Sequence, residues 1–204
     1  MKRLYPILKP STSSGFTLTE LLVAVAITSV MMSLAGFGIV ATLRANERVE
    51  TEISRRANLN RALDFVSDEI RMAKAIAAPA SASVPTQACG TTTGVLDLTM
   101  PDNSHTIYYV HNLTGCTSSL WSKPAVLRRV SGGSDNVLVD ALTLPSTVPS
   151  CGTGTTSAGG NGFYACISNN RSATLYLYGN LNTSSLRAST SPYPVSSQVS
   201  ARSF

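Results

Sequence analysis

Residues 15–43 read GFTLTELLVAVAITSVMMSLAGFGIVATL, and the rest of the chain is organised around them. Positions 21–43 form a run of 23 residues with no charge. As a helix rising about 1.5 Å per residue, such a run reaches about 34 Å, enough to cross a hydrocarbon core of about 30 Å. A secretory signal peptide would show a shorter apolar core followed by a small-x-small cleavage site. Here the polar stretch MKRLYPILKPSTSSG comes first, with Lys2, Arg3 and Lys9 in it. Basic residues ahead of the span predict a cytoplasmic N-terminus, with residues from about 44 onward exported.

Composition agrees with an anchored, exported chain. Charged residues make up 13% of it, against about 25% in average soluble proteins. The formal charge is +5, but without Lys2, Arg3 and Lys9 the 16 basic residues fall to 13 against 11 acidic ones, a charge of +2. The basic character therefore belongs to the first ten residues and does not point to nucleic acid. Glu20 is the costly detail, because a carboxylate at the edge of hydrocarbon needs a partner or a place at the headgroup boundary. Spacing alone leaves both readings open.

The run Gly15-Phe16-Thr17-Leu18-Thr19-Glu20-Leu21-Leu22-Val23-Ala24 resembles the N-terminal motif of type IV prepilins. In that family a membrane aspartyl peptidase cuts after glycine and methylates the new N-terminus. The resemblance implies that residues 1–15 are a leader, that Gly15 precedes the cut, that Phe16 is methylated, and that Glu20 is the fifth mature residue. It also implies that Glu20 pairs with the α-amino group of a neighbouring subunit, which would offset the charge of each in a low-dielectric bundle. A residue without Cβ at position 15 lets a peptidase approach the backbone. The implied partners are other pilin or pseudopilin subunits, the prepilin peptidase and an inner-membrane assembly platform. The implied location is the bacterial inner membrane, single-pass with a periplasmic domain, and then a pilus or pseudopilus. Major pilins often carry a proline about two turns into the span, whereas this chain has none between Pro10 and Pro79. Gly36-Phe37-Gly38 could loosen the helix instead, at about 1 kcal/mol per glycine. The missing proline leans toward a minor subunit.

Beyond Leu43 the pattern becomes one-sided. Val49, Ile53, Ala57, Leu63, Val66, Ile70, Ala73 and Ala77 recur at steps of three or four apart from one of six, with Arg and Glu on the opposite face. Nothing breaks residues 39–78, so the spacing predicts one helix of roughly 60 residues, about 90 Å long, stopped by Pro79. Residues 16–43 are its transmembrane and assembly part, and 44–78 its amphipathic part. The stripe keeps no strict heptad, which argues against a coiled-coil stalk.

From residue 90 the period shortens to two. Residues 95–100, 106–110, 125–130, 136–141, 162–167 and 174–178 are candidate strands, with 131–134 and 152–162 as flexible connections. An antiparallel sheet whose apolar face covers the stripe makes an α+β domain over 79–186, followed by a poorly ordered polar tail at 187–204. Residues 61–73, with the blocks at 106–110, 126–129 and 137–140, resemble W-type minor pilins and J-type minor pseudopilins in kind and order.

Cys89, Cys116, Cys151 and Cys166 all follow the apolar run and none is spaced C-x-x-C. In an oxidising compartment four thiols predict disulfides. Three pairings are open, and Cys89–Cys116 with Cys151–Cys166 is favoured because each closes a local loop. His105 and His111 lack a third ligand and read as surface imidazoles. Asp64, Asp68 and Glu69 read as solvated partners of Arg61 and Arg71. No nucleophile elbow or phosphate loop is present, so no enzyme activity, cofactor, metal or small-molecule substrate is expected. Arg128-Arg129 and Trp121-Ser122-Lys123 are a thin basis for DNA binding. The leading expectation is a minor pilin that primes or caps a filament; the alternatives are a J-like pseudopilin of type II secretion and a tip subunit for adhesion or DNA uptake.

Overall fold

The computed structural model describes residues 15–181 and 192–202. The expected leader before Gly15, and the parts of the expected sheet domain and tail at 182–191 and 203–204, lie outside the described residues. Two units divide between Glu47 and Arg48.

In the first unit the chain enters helix α1, which spans Leu18–Met72. Every residue of the apolar run is exposed, and α1 is the one described helix long and apolar enough to cross a membrane. The hydroxyls within the run turn back on their own helix. Thr28 Oγ1 donates to Ala24 O at 2.8 Å, Ser33 Oγ to Ser29 O at 2.9 Å and Thr42 Oγ1 to Gly38 O at 2.6 Å. Their polar atoms are thus satisfied without a partner outside the helix, as an apolar surrounding requires.

In the second unit α1 from Arg48 onward meets a nine-stranded sheet in which every pairing is antiparallel. The strands are β1 Ala75–Ala77, β2 Thr91–Thr99, β3 His105–Asn112, β4 Ala125–Ser131, β5 Ser134–Leu142, β6 Thr155–Gly160, β7 Phe163–Ser168, β8 Ser172–Gly179 and β9 Tyr193–Ser200. Their order is β1-β2-β3-β4-β5-β8-β7-β6, with β9 added to β8. β5 and β8 touch at one pair, Leu142 and Gly179. The sheet curls there, and its far end returns toward its start, where Asn112 Nδ2 donates to Asn161 Oδ1 at 3.2 Å. The core joins Leu59, Leu63, Val66 and Ile70 of α1 to Leu96, Leu98, Leu127, Phe163, Leu175 and Leu177 of the sheet. Helix and sheet approach closely at Gly179, where a Cβ would collide with the Leu59 side chain.

The α+β architecture is as expected, but four local readings change. First, α1 stops at Met72, not at 78. Residues 75–77 pair with 97–99 of β2 as strand β1, and Pro79 disfavours the α conformation for its predecessor; sheet pairing outweighs the helix propensity of Ala75 and Ala77. Secondly, fully buried side chains on α1 begin at Leu59, and Val49 and Ile53 stay 57% and 61% exposed. Thirdly, the two connections are ordered. Ser131 pairs with Ser134 across Gly132 and Gly133, both at positive φ, which is a tight two-residue hairpin turn. Residues 155–160, of the composition Thr-Thr-Ser-Ala-Gly-Gly, form β6 on backbone pairing alone. Fourthly, the tail contributes β9. It pairs only with β8, so Pro194 sits in an edge strand, where a missing N–H is tolerated. Ser67 meets Ser197 at 3.1 Å, and Arg56 lies 5.1 Å from the Tyr193 ring, docking this strand on α1.

Candidate functional site

At the head of α1, Thr17 and Glu20 close on each other. Leu21 N donates to Thr17 O at 3.2 Å, which makes Thr17 the N-cap. Glu20 N donates to Thr17 Oγ1 at 3.4 Å, and Glu20 Oε2 receives Thr17 N at 3.3 Å and Thr17 Oγ1 at 3.2 Å. A threonine cap answered three residues later by glutamate is a capping box, which satisfies two N–H groups that a helix start leaves over. Phe16, immediately before it, is 80% exposed. Glu20 has no cationic partner among the described residues. The carboxylate is thus held by its own helix, against Thr17 at the helix start.

Residues 10–36 match the family model of the prokaryotic N-terminal methylation motif. At its N-terminus the chain is type IV prepilin-like. No curated protein and no solved structure matches it. For a prepilin-like chain the motif implies processing by a prepilin peptidase and assembly with other pilin subunits, and the apolar start of α1 fits membrane anchoring. Gly15, Phe16 and Glu20 all lie within the matched residues.

Deeper in the prepilin-like chain, two polar networks lie on opposite faces of the β3–β4 ladder. Tyr108 pairs with Arg129, and Tyr109 with Arg128, so successive residues face opposite ways. On the helix side Arg129 grips Glu69 with both carboxylate oxygens, at 3.0 and 2.5 Å, and Tyr108 donates its hydroxyl to the same carboxylate. Glu69 is only 7% exposed, so it is not the solvated partner of Arg71 that local spacing predicts; Arg71 pairs with Asp68 at 2.6 Å. Burial and then the Glu69 contact raise the Tyr108 hydroxyl well above its ordinary pKa, and the Glu69 bond raises Arg129. On the outer side Asp135 receives Arg128 Nε at 3.0 Å, Tyr109 OH at 2.7 Å and Gln87 Nε2 at 3.0 Å. Burial, reinforced by Asp135, pushes Tyr109 up to about 12. Burial alone would raise Asp135, but the bonds from Arg128 and Tyr109 outweigh it and hold the carboxyl below its ordinary range. These groups are saturated by one another, which suits a structural role.

Both disulfides join the local pairs, Cys89 to Cys116 and Cys151 to Cys166. His105 is exposed and meets Asp97 Oδ1 at 2.8 Å. His111 is not a surface imidazole: it is 5% exposed and packs beside the first disulfide, donating from Nε2 to Cys89 O at 2.7 Å. Local spacing could not reveal either this grouping or the Glu69 network, since both depend on the register of β3. A groove of about 390 Å³ opens between α1 and β5, with Arg61, Phe65, Trp121, Leu138 and Asp140 in its lining.

Proposed function

We propose that this prepilin-like chain is a minor pilin, a structural subunit and not an enzyme, which primes or caps a type IV filament. In this reading it is cut after Gly15 and N-methylated at Phe16, with its second unit exported across the inner membrane. The observation that carries the proposal is Glu20, the fifth mature residue in this reading, fixed at the head of an exposed apolar helix with no cation to pair with among the described residues. A neighbouring subunit's new α-amino group has the charge and the location to complete it. Mass spectrometry of the mature N-terminus tests this. N-methylated Phe16 is expected; an intact Met1, or a cut beyond residue 35, would sink the proposal.

A second reading, a J-like pseudopilin, is favoured by the blocks at 61–73, 106–110, 126–129 and 137–140, which fall on α1, β3, β4 and β5 in turn. Deletion of the gene separates the two. Loss of surface filaments supports the minor pilin, and loss of exoprotein release with filaments intact supports the pseudopilin.

A further inference from the structure

We propose that Cys89, Cys116 and His111 form a redox-gated zinc site, closed while the disulfide is intact and open to the ion once it is reduced. A ring nitrogen of His111 and the two sulfurs lie within 4.8 Å of one another. His111 is buried on β3, held by Nε2–H to the Cys89 carbonyl. In the neutral ring that bond leaves the lone pair on Nδ1. Nδ1 is the one buried side-chain polar atom among the described residues with no hydrogen-bond partner. A buried polar atom left unpaired is costly.

The chemistry of the trio fits a borderline-soft cation. Two thiolates and an imidazole are common zinc ligands, at about 2.3 Å for sulfur and about 2.0 Å for nitrogen. A disulfide sulfur lacks the thiolate charge, so the oxidised chain offers only the imidazole. Reduction by an external dithiol transfers two electrons and two protons, yielding two cysteine thiols and the disulfide of the donor. Zinc then displaces both thiol protons and bonds to two thiolates and one neutral nitrogen, giving a site of net charge zero. Neutrality matters because Cys116 and His111 are buried beside Leu113 and Val126, where a bare thiolate is costly. Cys89 is exposed and is followed by Gly90 at φ +74, so its sulfur is the one free to swing apart and leave the fourth position to water. A Cβ on Gly90 would strike Asn112 O, so glycine also keeps this segment against His111. Cys151 and Cys166 belong to no such grouping among the described residues and serve as an internal control.

The test uses the full chain in detergent micelles, reduced by a phosphine without oxygen, then given zinc or cobalt(II). One zinc per chain is expected after reduction and none before, with reoxidation releasing it. Cobalt should give thiolate charge-transfer absorption and the intense visible bands of a tetrahedral site. Replacing Cys151 and Cys166 by serine should leave binding intact, whereas replacing Cys89 and Cys116 should abolish it. His111→Ala should weaken it by roughly tenfold or more. The proposal is overturned if the reduced chain takes up no zinc, if binding follows Cys151 and Cys166 instead, or if His111→Ala binds as tightly. Should that variant not fold, the cobalt spectrum of the unsubstituted chain decides: weak octahedral bands would overturn the site.

Discussion

Glu20 answers to two demands on one carboxylate, as the third helical residue of α1 and, with the proposed cut after Gly15, as the fifth residue of the mature chain. The capping box needs only a hydrogen-bonding side chain that reaches Thr17, and glutamine serves there as well as glutamate. Pairing with an ammonium group needs the charge. Glu20→Gln should therefore keep the helix start ordered yet impair filament incorporation. Glu20→Ala should lose both, at about 1 kcal/mol of local helix stability. Neither variant should prevent membrane insertion. Fractionation followed by sheared-filament blotting checks this, and normal incorporation of the glutamine variant would sink the charge-pairing role. Asp135 and Tyr109 give pH signatures of opposite sign. The folded carboxyl of Asp135 is depressed, so its stabilisation is present above the unfolded value, about 3.9, and fades as pH falls through the folded one. The folded hydroxyl of Tyr109 is raised to about 12, so its stabilisation is full below the unfolded value, about 10, and fades as pH rises toward 12. Asp135→Asn should flatten the acid limb of stability against pH, and Tyr109→Phe the alkaline limb, both read from urea midpoints.

Between helix and sheet, the Glu69 contact shows where reading by pattern stops. On α1, Glu69 sits among charges spaced three and four apart, and nothing in that spacing distinguishes it from Asp68. Its partner Arg129 is 60 positions away and reaches it only because β3 and β4 pair Tyr108 with Arg129. The six strands found by their β-branched, period-two composition share a mechanism, since each buries at least one face, and β3 and β7 bury both. β1, β6 and β9 lack that signature: they are short, glycine-rich or polar, and are held by neighbours already in place. Removing one partner of a buried ion pair leaves the other charge uncompensated, at a cost of about 3–5 kcal/mol. Arg129→Ala should thus lower the unfolding free energy of the full chain by roughly 3 kcal/mol, at the low end because both side chains keep some exposure. Replacing Glu69 and Arg129 together by leucine should recover most of that loss. Denaturant titration of the three variants provides the measurement, and a double variant as unstable as Arg129→Ala would count against a desolvation origin.

Across the whole molecule, the N-terminal motif was legible in the first unit and the fold class in the second, for different reasons. The methylation motif is a local object: ten consecutive residues carry the processing site, the carboxylate and the start of the apolar run. The second unit is specified by contacts distant in sequence, so its class could be read from periodicity while its register could not. Its two disulfides fall between these cases, because each closes a short loop of 27 or 15 positions. In the chain-entropy account, loops of these lengths stabilise by about 3.5 and about 3 kcal/mol. The structural consequences should nevertheless differ. Cys151–Cys166 ties the segment entering β6 to β7, and β6 has little side-chain packing to replace it. Cys89–Cys116 lies beside Leu113 and Val126, with Lys123 Nζ also bound to Cys116 O at 2.6 Å. Serine at 151 and 166 should therefore leave the full chain folded but let the amides of Thr155–Gly160 exchange quickly. The amides shared by β2, β3 and β4, inside the sheet, should stay protected, because local opening follows local contact density. Hydrogen exchange read by mass spectrometry makes the distinction. Uniform loss of protection in every strand would mean that the second disulfide supports the whole unit and not the β6–β7 hairpin alone.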